Sequence, residues 1–290
     1  MRGTILVTGA TGNLGAAAID HLIAKAGPDR VTALARNTEK AAPLHAKGID
    51  VRLGNYDDTA ALEQAMKGVS KVLLVSSNDH GQLLTQHQNV IHAAQQAGVK
   101  HVVYTGTAVK DADASPMSPM LNAHFRTEDH LKDSGPPYTV LRNTMYTDAL
   151  PIFLGQDLFE RGINVPAADG KVPFALRREM GEAAANVLLH DGHEAKTYQL
   201  TASEPYTFQD IAHVLSEHTG KPVPYTSPDP HAFEDNLRSA GAPERGIAVL
   251  SAFVTDMREG RYDIITQDFE NLLGRKPAPL RESLREVYGL

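Results

Sequence analysis

Three glycines near the start of the chain, Gly9, Gly12 and Gly15, follow one another at intervals of three residues. A β-rich apolar run at 4–8 precedes them, and apolar residues at helical spacing follow. Glycines at such a junction allow a tight turn, close approach of the backbone to a phosphate, and close helix packing, while the helix start attracts the anion. A tight turn without a ligand is the alternative. The pattern predicts a dinucleotide site formed by Gly9, Ala10, Thr11, Gly12, Asn13, Leu14 and Gly15.

The end of the second predicted strand indicates which dinucleotide would bind. NAD sites usually carry an acidic residue there, which accepts a hydrogen bond from the ribose 2′-hydroxyl. This chain has Arg36 instead, followed by Asn37. A guanidinium binds a 2′-phosphate through charge-assisted hydrogen bonds, so Arg36 favours NADPH as the cofactor. The alternative is a solvated surface arginine, because loops after strands are generally polar.

The sequence lacks the acid–base pair of ordinary short-chain dehydrogenases. Those enzymes carry Tyr-x-x-x-Lys, but no tyrosine of this chain has a lysine four residues later; Tyr138 with Arg142 comes nearest. No Gly-x-Ser-x-Gly or His-Glu-x-x-His motif occurs either. Reduction of a ketone needs a positioned acid, whereas reduction of a quinone or a cationic dye depends on one less strongly. The sequence therefore favours an electron-poor planar acceptor.

The composition of the chain excludes several other classes of function and site. The formal net charge of −7 offers no basic excess for nucleic acid, and the absence of cysteine excludes disulfides and thiolate ligands. His190-Asp191-Gly192-His193 has ligand residue types, but its glycine at a helix end indicates a turn, so we expect no metal site. The start of the chain has no signal-peptide pattern, and no apolar run approaches the ~20 residues that span a bilayer. We therefore expect a cytoplasmic protein that is not bound to a membrane.

The elements that must position these residues alternate in the first half of the chain. Strands are predicted at 4–8, 30–35, 50–53, 71–77, 101–105 and 138–141, separated mostly by helices, among them 59–66, 83–97 and 121–133. Strands that are apolar on both faces and joined by helices indicate a parallel sheet covered on both sides. We predict an α/β, doubly wound (Rossmann) domain over 1–148.

The second half has a looser pattern. Helical segments are predicted at 149–161, 178–190 and 208–219, with a short strand at 196–200 and a proline-rich stretch at 222–230. Leu280, Leu284 and Val287 form one helical stripe near the end. We predict that 149–290 forms a smaller, partly helical substrate-binding region, interleaved with the last strands of the sheet.

Several segments together resemble a known family. They are GATGNLG, ALARN, KVLLVSS, QHQNVIHAAQQAGVKHVVYTG, YTVLRNTMYTD and GHEAKTYQLT. These segments resemble the NmrA-like branch of the atypical short-chain dehydrogenases/reductases, especially its quinone-reducing and triphenylmethane-reducing members. The likeness covers almost the whole chain and is weakest between about residues 222 and 270.

This resemblance implies further site residues. Along the cofactor it implies Asn55, Tyr56, Ser76, Ser77, Asn78, His87, Thr105, Gly106, Arg142 and Asn143. Around the acceptor it implies catalytic or orienting roles for His124, Asn143 and Tyr146. Three alternatives stay open: His124 could be a helix-face histidine that only lines the pocket, Asn143 could stabilise its loop, and Tyr146 could be a buried tyrosine with a satisfied hydroxyl.

Motifs and resemblance lead to one functional prediction and one rival. The prediction is an NADPH-dependent reductase, a monomer or homodimer, that transfers hydride to a small-molecule quinone or a cationic triphenylmethane-type dye. The rival is an NmrA-like redox sensor that binds NADP(H) without turnover and regulates a partner protein. The missing Tyr-Lys pair is compatible with both.

Overall fold

A computed structural model describes residues 3–79, 81–155 and 157–290. Its strands are β1 (Thr4–Val7), β2 (Val31–Ala35), β3 (Asp50–Leu53), β4 (Val69–Leu74), β5 (His101–Thr107), β6 (Tyr138–Asn143), β7 (Ile163–Asn164), β8 (Lys196–Leu200) and β9 (Tyr225–Thr226). Its helices are α1 (Asn13–Ala26), α2 (Thr38–Ala46), α3 (Thr59–Ala65), α4 (Leu83–Gln96), α5 (Ser118–Asp133), α6 (Leu150–Leu154), α7 (Leu158–Arg161), α8 (Arg177–Leu189), α9 (Phe208–Thr219), α10 (Pro230–Ser239), α11 (Glu244–Arg258), α12 (Asp268–Leu273) and α13 (Leu280–Tyr288).

The main sheet has seven strands in the order β3-β2-β1-β4-β5-β6-β8, and neighbouring strands pair in parallel. The strand order reverses between β1 and β4. Because the connections after these two strands run in opposite directions, a crevice opens beyond their carboxyl ends. The predicted doubly wound α/β fold is confirmed.

Both faces of the inner strands of the sheet are buried. Ile5 and Val7 of β1 join a core with α1 and α8, whereas Leu6 between them joins a core on the opposite face. This burial explains why the strands are apolar without alternation. A third core packs the C-terminal helices around residues such as Phe208 and Met257.

The second half of the chain contributes to the main sheet as well as to the third core. Strand β8 pairs with β6 at the sheet edge, and α8 packs closely on α1. The predicted helix at 149–161 is interrupted: α6 ends at Gly155, whose φ of +77° lies in the left-handed region. Within the described ranges, none of the helices is long and apolar enough to cross a membrane.

Candidate cofactor and acceptor site

A large cavity occupies the crevice beyond β1 and β4, with a volume of about 1040 Å³. This is slightly above the usual range for ligand pockets, about 300–1000 Å³. The predicted residues that line it are Gly9, Thr11, Gly12, Asn13, Leu14, Gly15, Arg36, Asn55, Tyr56, Ser76, Ser77, Asn78, Thr105, Gly106, His124, Asn143 and Tyr146. Residues far apart in the sequence are thus brought to one continuous wall.

The glycine loop has the backbone geometry that a diphosphate requires. Gly9 has a φ of +57°, and the Gly12 N–H donates to the Gly9 carbonyl at 3.0 Å, which closes the turn. A Cβ on Gly15 would lie 2.3 Å from the Gly9 oxygen, so a side chain there would push α1 away from the loop. Gly12, the residue before α1, has no side chain and leaves the first N–H groups of that helix to a ligand.

Two cations line the end of the cavity beside β2 and β3. Arg36 follows β2, and Lys40 lies in the first turn of α2. The Asn37 side chain caps this helix by accepting a hydrogen bond from the Lys40 N–H at 2.8 Å. This bond holds the backbone of Lys40 in the first helical turn, shortly after Arg36. Two positive side chains on one wall provide donors for a phosphate beyond the diphosphate.

Asn55 and Tyr56 line the same end, but their polar atoms have partners within the protein. Asn55 accepts from the N–H groups of Asp57 and Asp58. The Tyr56 hydroxyl lies 2.5 Å from Thr8 Oγ1 and 2.8 Å from the Val75 carbonyl, and burial raises the pKa of Tyr56. Its hydroxyl therefore joins β1 to the end of β4, which leaves its ring to face a ligand.

Buried side chains hold the loop after β4 by accepting hydrogen bonds from its backbone. The Ser76 N–H donates to Thr105 Oγ1 at 2.9 Å, and the Ser77 N–H donates to His87 Nε2 at 3.0 Å. Burial, followed by the nearby charge of His124, lowers the pKa of His87 to about 3. His87 is thus a neutral imidazole that supports the loop from the core.

Polar and aromatic groups meet at the opposite end of the cavity. Asn143 Nδ2 lies 3.2 Å from the Tyr146 hydroxyl, and the Tyr104 hydroxyl lies 2.7 Å from His124 Nδ1. Asn143 Oδ1 is buried and has no hydrogen-bond partner among the described residues. Because a buried acceptor without a partner is costly, this oxygen is suited to a donor on a bound molecule.

An apolar wall and an ion pair complete this end. Phe153 and Phe253 meet edge to face with ring centroids 5.8 Å apart, and Met120 lines the cavity with them. The Arg177 guanidinium lies over the Tyr146 ring at 5.1 Å and donates to Asp148 at 2.8 Å. The apolar surface suits a planar aromatic acceptor, and the ion pair holds the loop after β6.

The structure places three predicted cofactor residues outside the lining of this cavity. Ala10 and His87 are fully buried beneath it. Arg142 forms two hydrogen bonds with Glu128, at 2.9 and 2.7 Å, and lies over the Phe125 ring. These side chains pack behind the residues that line the cavity and do not face its interior.

Sequence reasoning missed several lining residues. Lys40 could have been found from the sequence, because it lies four residues after Arg36 and three after Asn37, a residue type that caps helices. Arg177 and Phe253 come from α8 and α11, and no local motif marks them. In the part of the chain that the structure describes, no group of three histidine or acidic side chains could hold a metal ion.

A doubly wound sheet, a glycine loop at the strand-order reversal and a cation after β2 define a dinucleotide-binding protein of the short-chain reductase type. The sequence profile of the NmrA-like family matches residues 1–267, and the chain belongs to this family. The resemblance expected from the sequence is confirmed.

Individual relatives match this chain over almost its full length. The chain is 37% identical to quinone oxidoreductase 2 of Escherichia coli, covering 99% of both chains. A structure of triphenylmethane reductase from Citrobacter sp., complexed with NADP(H), matches with a TM-score of 0.90 and 36% identity over 98% of this chain and 99% of that one. The E. coli NADPH-dependent quinone oxidoreductase complexed with NADPH matches with a TM-score of 0.89 and 36% identity, over 98% and 100%.

Proposed function

We propose that this chain is an NADPH-dependent reductase that transfers hydride to a quinone or to a cationic triphenylmethane-type dye. The observation that carries the proposal is one cavity with a phosphate-binding loop and two cations at one end and a polar, aromatic-walled recess at the other. The relatives that bind NADP(H) and act on these acceptors support it.

The residues present fit NADPH. The backbone space that Gly15 keeps open and the N–H groups at the start of α1 would hold its diphosphate. Arg36 and Lys40 would hold its 2′-phosphate. When bound, NADPH supplies a hydride and the electron pair that reduce the acceptor.

The chain's own residues would position the acceptor and exclude water. Asn143 would accept a hydrogen bond through its unpartnered oxygen from an N–H of the cofactor, since quinones and triphenylmethane dyes have no donor, and Tyr146 would be held in place by Asn143 and Arg177. Phe153 and Phe253 would cover an apolar, planar acceptor. His124 would face the acceptor from α5.

Turnover on both acceptor classes tests the proposal. NADPH oxidation is followed with benzoquinone, menadione and malachite green, and we expect turnover with at least one of them. Calorimetry with NADPH and NADP⁺ runs beside it. If NADPH binds but no acceptor is reduced, the redox-sensor alternative replaces the enzyme. The cytoplasmic location, the monomer-or-dimer state and the absence of nucleic-acid binding expected from the sequence stay predictions.

Cofactor choice has its own test at Arg36 and Lys40. Loss of a charge-assisted hydrogen bond costs about 1.5–3 kcal/mol, so Arg36→Ala or Lys40→Ala should each weaken NADPH binding about tenfold or more. The dissociation constant for NADH should stay unchanged, because NADH has no 2′-phosphate. Lys47→Ala is the matched control, since Lys47 ends the same helix but pairs with Asp20. Unchanged NADPH binding in both cavity variants would remove the assignment.

A further inference from the structure

Two histidines and a tyrosine lie together at the acceptor end of the cavity. The His87 ring centroid is 5.2 Å from that of Tyr104 and 6.3 Å from that of His124. Tyr104 is fully buried in β5, whereas His124 lines the cavity from α5. The hydrogen bonds of this group indicate where each imidazole carries its proton.

His87 has a defined tautomer. Its Nε2 accepts from the Ser77 N–H at 3.0 Å, so that nitrogen carries no proton. Its Nδ1 lies 3.0 Å from Thr127 Oγ1, whose own proton goes to the Ala123 carbonyl at 2.8 Å. His87 is therefore protonated on Nδ1 and donates to Thr127.

The contact with Tyr104 favours the opposite arrangement in His124. The Tyr104 hydroxyl lies 2.7 Å from His124 Nδ1. Burial raises the pKa of Tyr104, so the hydroxyl keeps its proton and needs an acceptor in the core. Thr127 and Ser76 also hydrogen-bond Tyr104; of these partners, the imidazole nitrogen is assigned as the acceptor, and a neutral ring that accepts at Nδ1 carries its proton on Nε2.

We propose that Tyr104 is a positioning residue that holds His124 as the Nε2–H tautomer, so that His124 donates a hydrogen bond to the carbonyl oxygen of a quinone. This inference rests on the proposed reductase function and deepens it. The quinone gains one hydride, with its two electrons, and becomes a hydroquinone monoanion, while NADPH becomes NADP⁺; the second proton comes from solvent. The His124 N–H stabilises the negative charge that develops on the quinone oxygen.

The two acceptor classes should respond differently. A cationic dye such as malachite green becomes neutral when it takes up hydride, and it has no carbonyl oxygen. Its reduction therefore gains nothing from the Nε2–H donor. Removal of one preorganised donor to a developing oxyanion lowers turnover by about 10²–10³ in other enzymes. Because Tyr104→Phe shifts the tautomer without removing the ring, we expect about a tenfold loss, confined to quinones.

The test compares Tyr104→Phe with the wild type in three measurements. Long-range ¹H–¹⁵N NMR reads the His124 tautomer, with His87 as an internal reference for the Nδ1–H form. Values of kcat/KM are measured with menadione and with malachite green, and the NADPH dissociation constant is measured by calorimetry. Tyr198→Phe is the matched control, because the Tyr198 hydroxyl bonds His193 Nδ1 at 2.9 Å and neither residue is among those lining the cavity.

The expected result is an Nε2–H signal for His124 in the wild type, its partial loss in Tyr104→Phe, and reduced turnover of menadione only. Tyr198→Phe should match the wild type in turnover. An Nδ1–H signal for His124 in the wild type would overturn the inference, as would an equal loss with both acceptors. Should the wild type reduce neither acceptor, the proposed function fails, and the NMR result still decides the tautomer.

Discussion

Arg36 follows β2 and Arg142 lies near the end of β6, but the two arginines differ in what they contact. Arg36 lies on the cavity wall, whereas the Arg142 guanidinium is bonded to Glu128, whose side chain is 2% exposed. Both were predicted to bind the cofactor. Glu128 lies on α5, fourteen residues before Arg142, and no local sequence pattern predicts that the two side chains pair. The partner of a charged side chain decides its role, and that partner is set by the tertiary fold.

Replacement of Arg142 should separate stability from cofactor binding. Arg142→Met leaves the buried Glu128 carboxylate without its partner, so the free energy of unfolding should fall by about 3 kcal/mol. The NADPH dissociation constant should change less than threefold. Urea unfolding and calorimetry measure the two quantities.

The double variant Arg142→Met with Glu128→Gln provides the control, because it leaves no uncompensated charge and should recover part of the lost stability. A tenfold weaker NADPH complex in a stable Arg142→Met protein would instead place Arg142 in the cofactor site, as the sequence predicted.

At the scale of elements, the approach of α8 to α1 holds in place the helix that would bind the diphosphate. A Cβ on Gly181 would lie 2.6 Å from the Leu14 carbonyl oxygen and 2.8 Å from the Ala18 nitrogen, both backbone atoms of α1. Since backbone cannot move aside as a flexible side chain can, the two helices would have to separate. Gly181 therefore allows α8, from the second half of the chain, to pack directly on α1, from the first half.

Gly181→Ala should reduce both stability and cofactor affinity. Overpacking costs about 1–3 kcal/mol, which exceeds the gain of up to about 1 kcal/mol from the better helix propensity of alanine. The first turn of α1 moves with the helix, so the NADPH dissociation constant should rise. Gly246→Ala in α11 is the control: its Cβ would make only ordinary contacts with Pro243, and the protein should be equally or more stable. A Gly181→Ala protein as stable as the wild type would show that the helices can separate without cost.

The elements that were predicted and those that were missed differ in the type of sequence signal. Apart from β3, which contains Asp50 and Arg52, strands β1 to β6 are short apolar runs between turn residues, and periodicity and composition predict such strands well. Helix α2 was missed because Pro43 lies inside it and its apolar face is short. Helix α11 was missed although Ile247, Val254 and Met257 are buried at helical spacing, a usable signal.

At the scale of the whole molecule, one cavity is walled by both halves of the chain. The glycine loop and Arg36 come from the first half, whereas Phe153, Arg177 and Phe253 come from the second. That the glycine loop lines one end of the cavity was predictable, because this loop consists of contiguous residues with a fixed spacing. The acceptor end was predicted only through family resemblance, because its walls are assembled by long-range packing.

Two buried imidazoles make the stability of the whole fold depend on pH. Burial, with Lys71 as the next cause, lowers the pKa of His101 to about 4, and the pKa of His87 is about 3. Both values lie below the ordinary 6.5 of an unfolded chain. As the pH falls below 6.5, the unfolded chain binds protons that the folded protein does not bind, so stability decreases towards acid.

Each of these histidines should lower the free energy of unfolding by roughly 2 kcal/mol between about pH 7 and pH 5. His101→Gln should therefore make the stability less dependent on pH over this interval. Glutamine can still donate to Thr139 Oγ1, which lies 2.8 Å from His101 Nε2 and gives its own proton to the His193 carbonyl. His92→Gln is the control, because His92 is exposed on α4 and its replacement should leave the dependence unchanged. Urea unfolding at a series of pH values measures the slopes. Equal slopes in His101→Gln and the wild type would show that His101 takes up a proton in the folded protein, which its burial at the start of β5 opposes.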